Sequence, residues 1–226
     1  AVIANDDKFD AVLGYSDTQF GNDVPPAMQW WMDAINASME QKLAEGAKVT
    51  PVEIPQGYAK AVEGLTKTTW GQNAPFWNMT PLYTVNGVQQ HYVTGCVATS
   101  MSQVMKYHGW PDVGSGYSSY TFSPDGGASQ TLSADYDRTR YDWANMLDSY
   151  ADGYNDAQAD AVATLMSHAG ISVEMQYNAD GSGALSSKAC TALKTYFRYN
   201  ENGRIYLRDF YGINEWMEIV YRELND

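Results

Sequence analysis

The chain has 226 residues and carries 27 acidic against 14 basic side chains, which gives a formal net charge of −13 at pH 7. A length of this order predicts one large domain with a small appendage. The scarcity of Lys and Arg argues against nucleic acid as a partner, because phosphate binding depends on clustered basic side chains. The sequence contains no run of about 18 consecutive apolar residues, so no membrane span is expected.

Two kinds of element are predicted before residue 50. Residues 1–15 are typical of two short strands around an acidic turn. Asp23 and Pro26 then provide a cap and a first-turn proline for a helix whose apolar stripe runs over residues 28–43, and Gly46 ends it. Such a helix must pack on another part of the protein.

Residues 47–57 are predicted to be extended, because they combine two prolines with β-branched side chains. We interpret this stretch as the junction between an appendage over residues 1–53 and the main domain over residues 54–226. A short helical piece is expected from Tyr58 to Leu65.

Cys96 stands in the first turn of a well-marked helix, directly after Gly95. From Val97 onward apolar side chains recur at helical spacing, and Gly109 with Pro111 stops the helix. The free N–H groups and the dipole at a helix start favour the thiolate, which is the reactive form of cysteine, and a preceding glycine leaves the sulfur open to approach. Cys96 is therefore a candidate nucleophile. The alternative is a buried cysteine that only fills space in the core.

Four more helices and a strand are predicted beyond this point. The residues between 114 and 140 have the composition of surface loops with small strands. The helices are expected at residues 142–150, 157–169, 186–197 (capped by serine) and 214–224, and the strand at residues 171–176.

The segment from Thr94 to Thr99 reads Thr-Gly-Cys-Val-Ala-Thr, and that from Gln103 to Pro111 reads Gln-Val-Met-Lys-Tyr-His-Gly-Trp-Pro. Together they resemble the active-site helix of the streptopain-like cysteine peptidases, a papain-like group of secreted bacterial enzymes. The similarity extends from about Trp70 to the last residue. The first 50 or so residues resemble, more loosely, the end of the inhibitory propeptide of that family.

This resemblance implies an α+β, papain-like cysteine peptidase fold that lacks its C-terminal sheet part and follows part of an α/β propeptide. Residues 1–53 would be the C-terminal part of the propeptide, and residues 54–226 the N-terminal portion of the peptidase domain. Cys96 would be the catalytic nucleophile. Gln72, which falls on the family's oxyanion-hole glutamine, would stabilise the oxyanion together with the Cys96 backbone N–H.

The family resemblance also indicates a border of the substrate cleft. It gives Met175, Tyr177, Ser182, Gly183 and Ala184 as cleft residues. The small residues would let a peptide backbone approach, while Met and Tyr would offer apolar surface. Without the resemblance, the same residues predict only a strand followed by a glycine-rich turn.

None of the three histidines occupies the family's catalytic position. His108 follows Cys96 by twelve residues on the same helix, which separates them by about 18 Å along the axis, too far for an ion pair. His91 is interpreted as structural or exposed. His168 is interpreted as a cation that suits the dipole near a helix C-terminus. We therefore expect the catalytic histidine beyond residue 226, and this chain alone to be inactive on peptides.

The expected partners are protein or peptide substrates, the chain's own propeptide and a C-terminal segment that carries the histidine. No metal or other cofactor is expected, because the Cys and His residues are scattered without ligand spacing. A Cys96–Cys190 disulfide is an alternative, although Cys190 fits a packed helix position. Two other classes of function stay open: a non-proteolytic thiol acyltransferase or amidase, and an inert binding or inhibitory module in which Cys96 is structural.

Overall fold

The computed structural model describes residues 2–3, 12–14, 24, 26–46, 55–57 and 63–225. The chain divides into two compact units, one formed by Ala1–Val62 with Tyr206–Asp226 and the other by Glu63–Ile205. Their described parts contain five α-helices and three two-stranded antiparallel sheets, which confirms the predicted α+β class. The predicted boundary between residues 53 and 54 lies outside the described residues, so this division into domains stays a prediction.

In the first unit, β1 (Val2–Ile3) pairs antiparallel with β2 (Val12–Gly14), and α1 spans Pro26–Ala44. These elements confirm the two predicted strands and the predicted helix, whereas the acidic turn between the strands and the Asp23 cap lie outside the described residues. Gly46 takes a φ of 70°, and its N–H donates to the carbonyl of Leu43 at 3.1 Å. A glycine in the left-handed region thus ends the helix, as its position in the sequence indicated.

The first unit also contains a C-terminal helix, α5 (Ile213–Asn225), which confirms the helix predicted at residues 214–224. Most of the predicted extended segment over residues 47–57 lies outside the described residues, and so does the first part of the helical piece predicted from Tyr58. Residues 63–65, where that piece was expected to end, are not helical.

The core of the second unit is built on three helices. They are α2 (Cys96–His108), α3 (Asp156–Ser172) and α4 (Ser186–Phe197), and α3 packs against both others. Their buried side chains join aromatic residues from the strands and loops in one hydrophobic cluster. Burial of this apolar surface is the main force that holds the unit together.

The buried face of α2 differs slightly from the predicted stripe. Ala98, Met101 and Met105 are buried, whereas Val104 and His108 are exposed. The helix ends at Gly109 in the left-handed conformation, with its N–H on the carbonyl of Lys106 at 3.2 Å. The predicted helix and its end are therefore confirmed.

Two hairpins accompany the helices of the second unit. β3 (Leu82–Val85) pairs with β4 (Val88–His91) through a two-residue turn in which Asn86 and Gly87 have φ of 51° and 78°. Positive φ at both positions is the signature of a type I′ turn, for which Asn-Gly is a preferred sequence. This hairpin was not predicted, although the Asn-Gly pair was a signal that could have revealed it.

The second hairpin joins β5 (Tyr117–Phe122) to β6 (Gln130–Asp135). It confirms the small strands expected between residues 114 and 140. Its inner side chains Phe122 and Ala134 are buried in the hydrophobic cluster.

The helix predicted at residues 142–150 is wrong. Only Trp143–Asn145 forms a single 3-10 turn, and Met146 returns to an extended conformation. The carboxylate of Asp142 accepts hydrogen bonds from the backbone and side-chain N–H groups of Asn145 at 3.3 and 2.7 Å. Local bonds of this kind stabilise a turn in competition with a continuing helix.

The strand predicted at residues 171–176 is also wrong. Ile171 and Ser172 complete α3, and Gln176 forms only an isolated bridge with Gly183. The apolar run was compatible with either a buried strand or the end of a buried helix, and packing of α3 in the core favoured the helix. The predicted serine cap of α4 is absent as well, because Leu185 occupies the N-cap position and makes no side-chain bond.

Candidate active site

Cys96 is the first residue of α2, and its side chain is exposed. No acidic residue lies in the first turn, so nothing there offsets the positive end of the helix dipole. Cys96 and Cys190 are both free thiols, and the alternative disulfide between them is not formed. Exposure of Cys96 also disagrees with the alternative in which it only fills space in the core.

Gly95 occupies a position that only glycine can fill without strain. Its φ is 86°, and a Cβ added there would lie 2.6 Å from Sδ of Met175 and 3.0 Å from the carbonyl oxygen of Ser182. Both distances are shorter than normal van der Waals contacts. The close approach brings the loop over residues 175–184 directly beside the residue that precedes Cys96.

Gln72 is held against Thr94 and Gly95 by two hydrogen bonds. Its Oε1 accepts from the backbone N–H of Gly95 at 3.0 Å, and its backbone carbonyl accepts from the N–H of Thr94 at 3.2 Å. Because the N–H of Gly95 needs an acceptor, the first of these bonds identifies the oxygen end of the side-chain amide. Among the described residues, no acceptor lies within hydrogen-bond distance of Nε2, so that donor is available to a ligand.

Two threonines hold the backbone around the thiol. The hydroxyls of Thr94 and Thr99 lie 3.0 Å apart, and the hydroxyl and N–H of Thr99 both donate to the carbonyl of Gly95 at 3.1 Å. Both threonines are buried. Both threonines belong to the sequence motif around Cys96, but the sequence alone did not predict that they orient the start of α2.

The segment that carries Gln72 is anchored by Trp70. Its indole N–H donates to the carbonyl of Leu147 at 2.7 Å, and the N–H of neighbouring Thr69 donates to the carbonyl of Asp148 at 2.9 Å. The Trp70 ring packs against Phe76 in the hydrophobic cluster. The site therefore rests on chain segments that are distant in sequence and fixed by burial.

The loop over residues 175–184 contains the five predicted cleft residues. The side chains of Met175 and Tyr177 are fully buried, so they support the loop from beneath and do not offer apolar surface to a peptide as expected. Gly183 is exposed, whereas Ser182 and Ala184 are half-buried. The hydroxyl of Ser182 is buried and makes no hydrogen bond to the described residues, and Ala184 packs against the hydrophobic cluster. Two backbone bonds of 2.8 and 3.1 Å between Gln176 and Gly183 close the loop.

His168 is part of the core and is not the cation that its position suggested. Its Nδ1 lies 3.0 Å from the hydroxyl of Tyr141, and the Tyr136 ring packs edge-on against it at 5.3 Å. Burial lowers the pKa of His168 to about 4, because the charged imidazolium loses its hydration in the core. The imidazole is therefore neutral near pH 7.

His91 and His108 also make contacts with other parts of the fold and not with Cys96. Nδ1 of His91 lies 2.8 Å from the carbonyl of Thr80, and its ring stacks on Trp77 at 6.4 Å. His108 is exposed at the end of α2, with Tyr199 edge-on at 5.9 Å. Within the part of the chain that the structure describes, no histidine makes a hydrogen bond or ring contact with Cys96.

The described segments contain neither a membrane-spanning helix nor a cluster of metal-ligating side chains. None of their helices is long and apolar enough to cross a membrane. They also contain no group of three or more His, Cys, Asp or Glu side chains that could hold a metal ion.

A free, exposed thiol at a helix start, beside a side-chain amide whose donor is available, is the arrangement that cysteine peptidases use for acyl transfer. Residues 70–226 match the model of the Peptidase C10 family. The chain belongs to this family.

Proteins with similar sequences are named as proteases. The chain is 29% identical over 238 residues to streptopain from Streptococcus pyogenes serotype M28, in an alignment that covers 99% of this chain and 59% of that protein. It is 28% identical over 237 residues to the thiol protease/hemagglutinin PrtT of Porphyromonas gingivalis, of which it covers 27%. The chain thus spans less than two thirds of these relatives, and the predicted resemblance to streptopain-like peptidases is confirmed.

Solved structures agree with this fold. A fragment of Prevotella intermedia prointerpain A superimposes with a TM-score of 0.78 at 37% identity, covering 99% of this chain and 70% of that one. The active wild-type interpain A cysteine protease from the same organism gives 0.69 at 39% identity, covering 78% of this chain and 70% of that one.

Proposed function

We propose that this chain belongs to the precursor of a secreted bacterial cysteine endopeptidase in which Cys96 is the nucleophile. The observation that carries the proposal is the pairing of an exposed Cys96 at the start of α2 with Gln72. Oε1 of Gln72 accepts from Gly95, and its Nε2 has no hydrogen-bond partner among the described residues. The family membership and the names of the relatives support the same reaction.

In the proposed reaction, Sγ of Cys96 attacks the carbonyl carbon of the scissile peptide bond. Nε2 of Gln72 and the backbone N–H of Cys96 donate to the developing oxyanion. The C–N bond then breaks, an imidazolium protonates the leaving amine, and a thioester with Cys96 forms. Water hydrolyses this thioester, the imidazole takes a proton from the water, and the thiolate is regenerated.

The backbone donor comes from the start of α2, where the first N–H groups have no acceptor within the helix. The side-chain donor comes without a charge, which suits a site that must also stabilise a thiolate. Bonds from Gly95 to Gln72 and from Thr99 to Gly95 orient both donors before substrate arrives. Orientation in advance is the main source of the stabilisation that such donors provide.

The proposed reaction also requires a histidine imidazole close to Cys96. His168 is buried against Tyr136 and Tyr141, and His91 is bonded to a backbone carbonyl. We propose that the catalytic histidine is none of the chain's three and belongs to the part of the relatives' length that this chain does not span. Residues 1–53 are proposed to be the end of an inhibitory propeptide, in line with the prointerpain A likeness.

Casein hydrolysis by the matured full-length enzyme tests the assignment of Cys96. Cys96→Ala should abolish hydrolysis without loss of folding, whereas the matched control Cys190→Ala should keep most of the rate. Hydrolysis that survives in Cys96→Ala would overturn the assignment. If the wild-type enzyme fails to cleave casein yet turns over thioesters through Cys96, the acyltransferase alternative is correct. Resistance of Cys96 to iodoacetamide in the native protein would favour the inert module.

A further inference from the structure

A pocket of about 380 Å³ lies in the second unit, apart from the residues assigned to catalysis. We call it the distal pocket. Four segments line it: β3, Tyr92 after β4, the turn between β5 and β6 with the start of β6, and the tip of the loop over residues 175–184. Its apolar lining includes Leu82, Tyr83, Val85 and Tyr92, and its polar lining includes Thr84, Asp125, Gln130 and Asn178.

The floor of the distal pocket is aromatic and firmly packed. The rings of Tyr83 and Tyr92 stack with centroids 4.5 Å apart and an interplanar angle of 21°. Tyr92 is buried, and its ring also meets Phe122 edge-on at 6.0 Å. Tyr83 is half-buried, and because the stack already immobilises its ring, a ligand that contacts the exposed part pays little entropic cost.

Hydrogen bonds join the walls of the pocket. Nε2 of Gln130 donates to the carbonyl of Leu82 at 3.1 Å, which ties β6 to β3. Nδ2 of Asn178 donates to the carboxylate of Asp125 at 2.7 Å, which ties the loop tip to the turn between β5 and β6. The pocket is therefore formed before any ligand arrives, as ligand sites usually are.

The same loop connects the distal pocket to the proposed catalytic residues. At its base, Met175 and Ser182 approach Gly95, the neighbour of Cys96. At its tip, Asn178 and Ala179 line the pocket. Three or four residues separate tip from base, so the two lie at most about 10–13 Å apart, the length of that many residues in extended chain. A peptide in extended conformation would cover this distance with a similar number of residues.

We propose that the distal pocket is a substrate subsite that receives a bulky apolar side chain, such as Phe or Leu, three or four residues from the scissile bond. This inference rests on the proposed peptidase function and adds a specificity determinant to it. The aromatic floor and apolar wall select for an apolar occupant. The carboxylate of Asp125 at the rim disfavours an acidic one.

The proposal is tested in the matured full-length enzyme with two sets of substrates and with a variant whose distal pocket is filled by a tryptophan side chain. The long substrates are quenched fluorescent octapeptides with either Phe or Gly at the third and fourth positions on both sides of the scissile bond. The short substrates are dipeptidyl coumarin amides, which cannot reach the pocket. Ala128→Trp fills the pocket from its rim, and Ala151→Trp, in an exposed turn outside it, is the matched control.

The wild-type enzyme and Ala151→Trp should cleave the Phe octapeptide with a kcat/KM about tenfold above the Gly octapeptide, the order expected from burial of one apolar side chain. Ala128→Trp should lose this preference and keep its rate on the short substrates. Should Ala128→Trp fail to fold, Ala179→Trp fills the pocket from the opposite wall.

The outcomes separate this inference from the proposed function. An active wild type without preference for Phe, or a filled variant that retains the preference, overturns the distal subsite and leaves the peptidase function intact. A wild type that cleaves neither long nor short substrates overturns the proposed function, and the subsite with it.

Discussion

The backbone N–H of Gly95 donates to Oε1 of Gln72 at 3.0 Å, so the amide of Gln72 is oriented by the residue directly before Cys96. The bond uses the oxygen and leaves Nε2 as the free end. A glutamine that was only a surface residue would not need this restraint. The geometry thus links the proposed oxyanion donor to the start of α2 through a single bond.

Two substitutions of Gln72 distinguish its side chain as an acceptor for Gly95 from its side chain as a donor to the oxyanion. Gln72→Ala should lower kcat on casein by about 10²–10³, since loss of one oxyanion donor typically costs about 2.7–4 kcal/mol. Gln72→Glu keeps an acceptor for the Gly95 N–H but has no donor, and should be at least as slow. Both variants are measured by steady-state kinetics with a thermal unfolding control. An unchanged kcat in either would remove Gln72 from the oxyanion hole.

Gly95→Ala should destabilise the fold strongly. The alanine would need a φ of 86° and would place its Cβ 2.6 Å from Sδ of Met175, so conformational strain adds to a steric clash. We expect a loss of about 2–4 kcal/mol in the free energy of unfolding, from urea denaturation. Gly87→Ala is the matched control, because Gly87 has a φ of 78° but open space around it. Equal losses in the two variants would show that the contact with Met175 carries no cost.

His168 should make the protein less stable in acid. Its pKa is lowered to about 4 in the folded state, whereas an unfolded chain has an ordinary histidine pKa of about 6.5. As pH falls from about 6.5 towards 4, the unfolded state takes up a proton that the folded state does not. Stability therefore falls across this window, by about 3 kcal/mol for this group, and levels off below it.

The measurement for His168 is the free energy of unfolding at several pH values. His168→Gln should flatten the slope between pH 6.5 and 4 relative to the wild type. His108→Gln, at an exposed position, should leave the slope as it is. Identical slopes in the wild type and His168→Gln would contradict the buried neutral imidazole.

Maturation should cut the precursor between residues 47 and 57. This stretch carries Pro51 and Pro55, and an extended segment fits a peptidase cleft whereas a helix does not. Mass spectrometry of the self-processing precursor should find the new N-terminus in this window. A lasting cut found only inside α1 would place the boundary elsewhere.

Several elements followed from local signals. The ends of α2 were predicted because Gly95, Gly109 and Pro111 lie within a few residues of the helix they delimit. The helix over residues 142–150 was wrong because the bonds from Asp142 to Asn145 form a turn, and apolar periodicity does not register such competition. The β3–β4 hairpin was missed although its Asn-Gly turn was visible.

The charge state of His168 could not be predicted from its neighbours in the sequence. Its sequence neighbours suggested a charged side chain near a helix end, but Tyr136 and Tyr141 enclose it from segments about 30 residues away. Burial depends on such distant contacts, and burial decides the charge state.

The short-range pattern of this chain was sufficient to locate Cys96 on its helix, and its motif was sufficient to suggest the family. Helix signals and motifs are local, so they survive without knowledge of the fold. Packing between distant segments decided which way Gln72 points, why position 95 must be glycine, and where the distal pocket lies. The first two features join residues 72, 95 and 175, and the pocket joins residues 82, 125 and 178. Only burial of a common core brings such distant positions together.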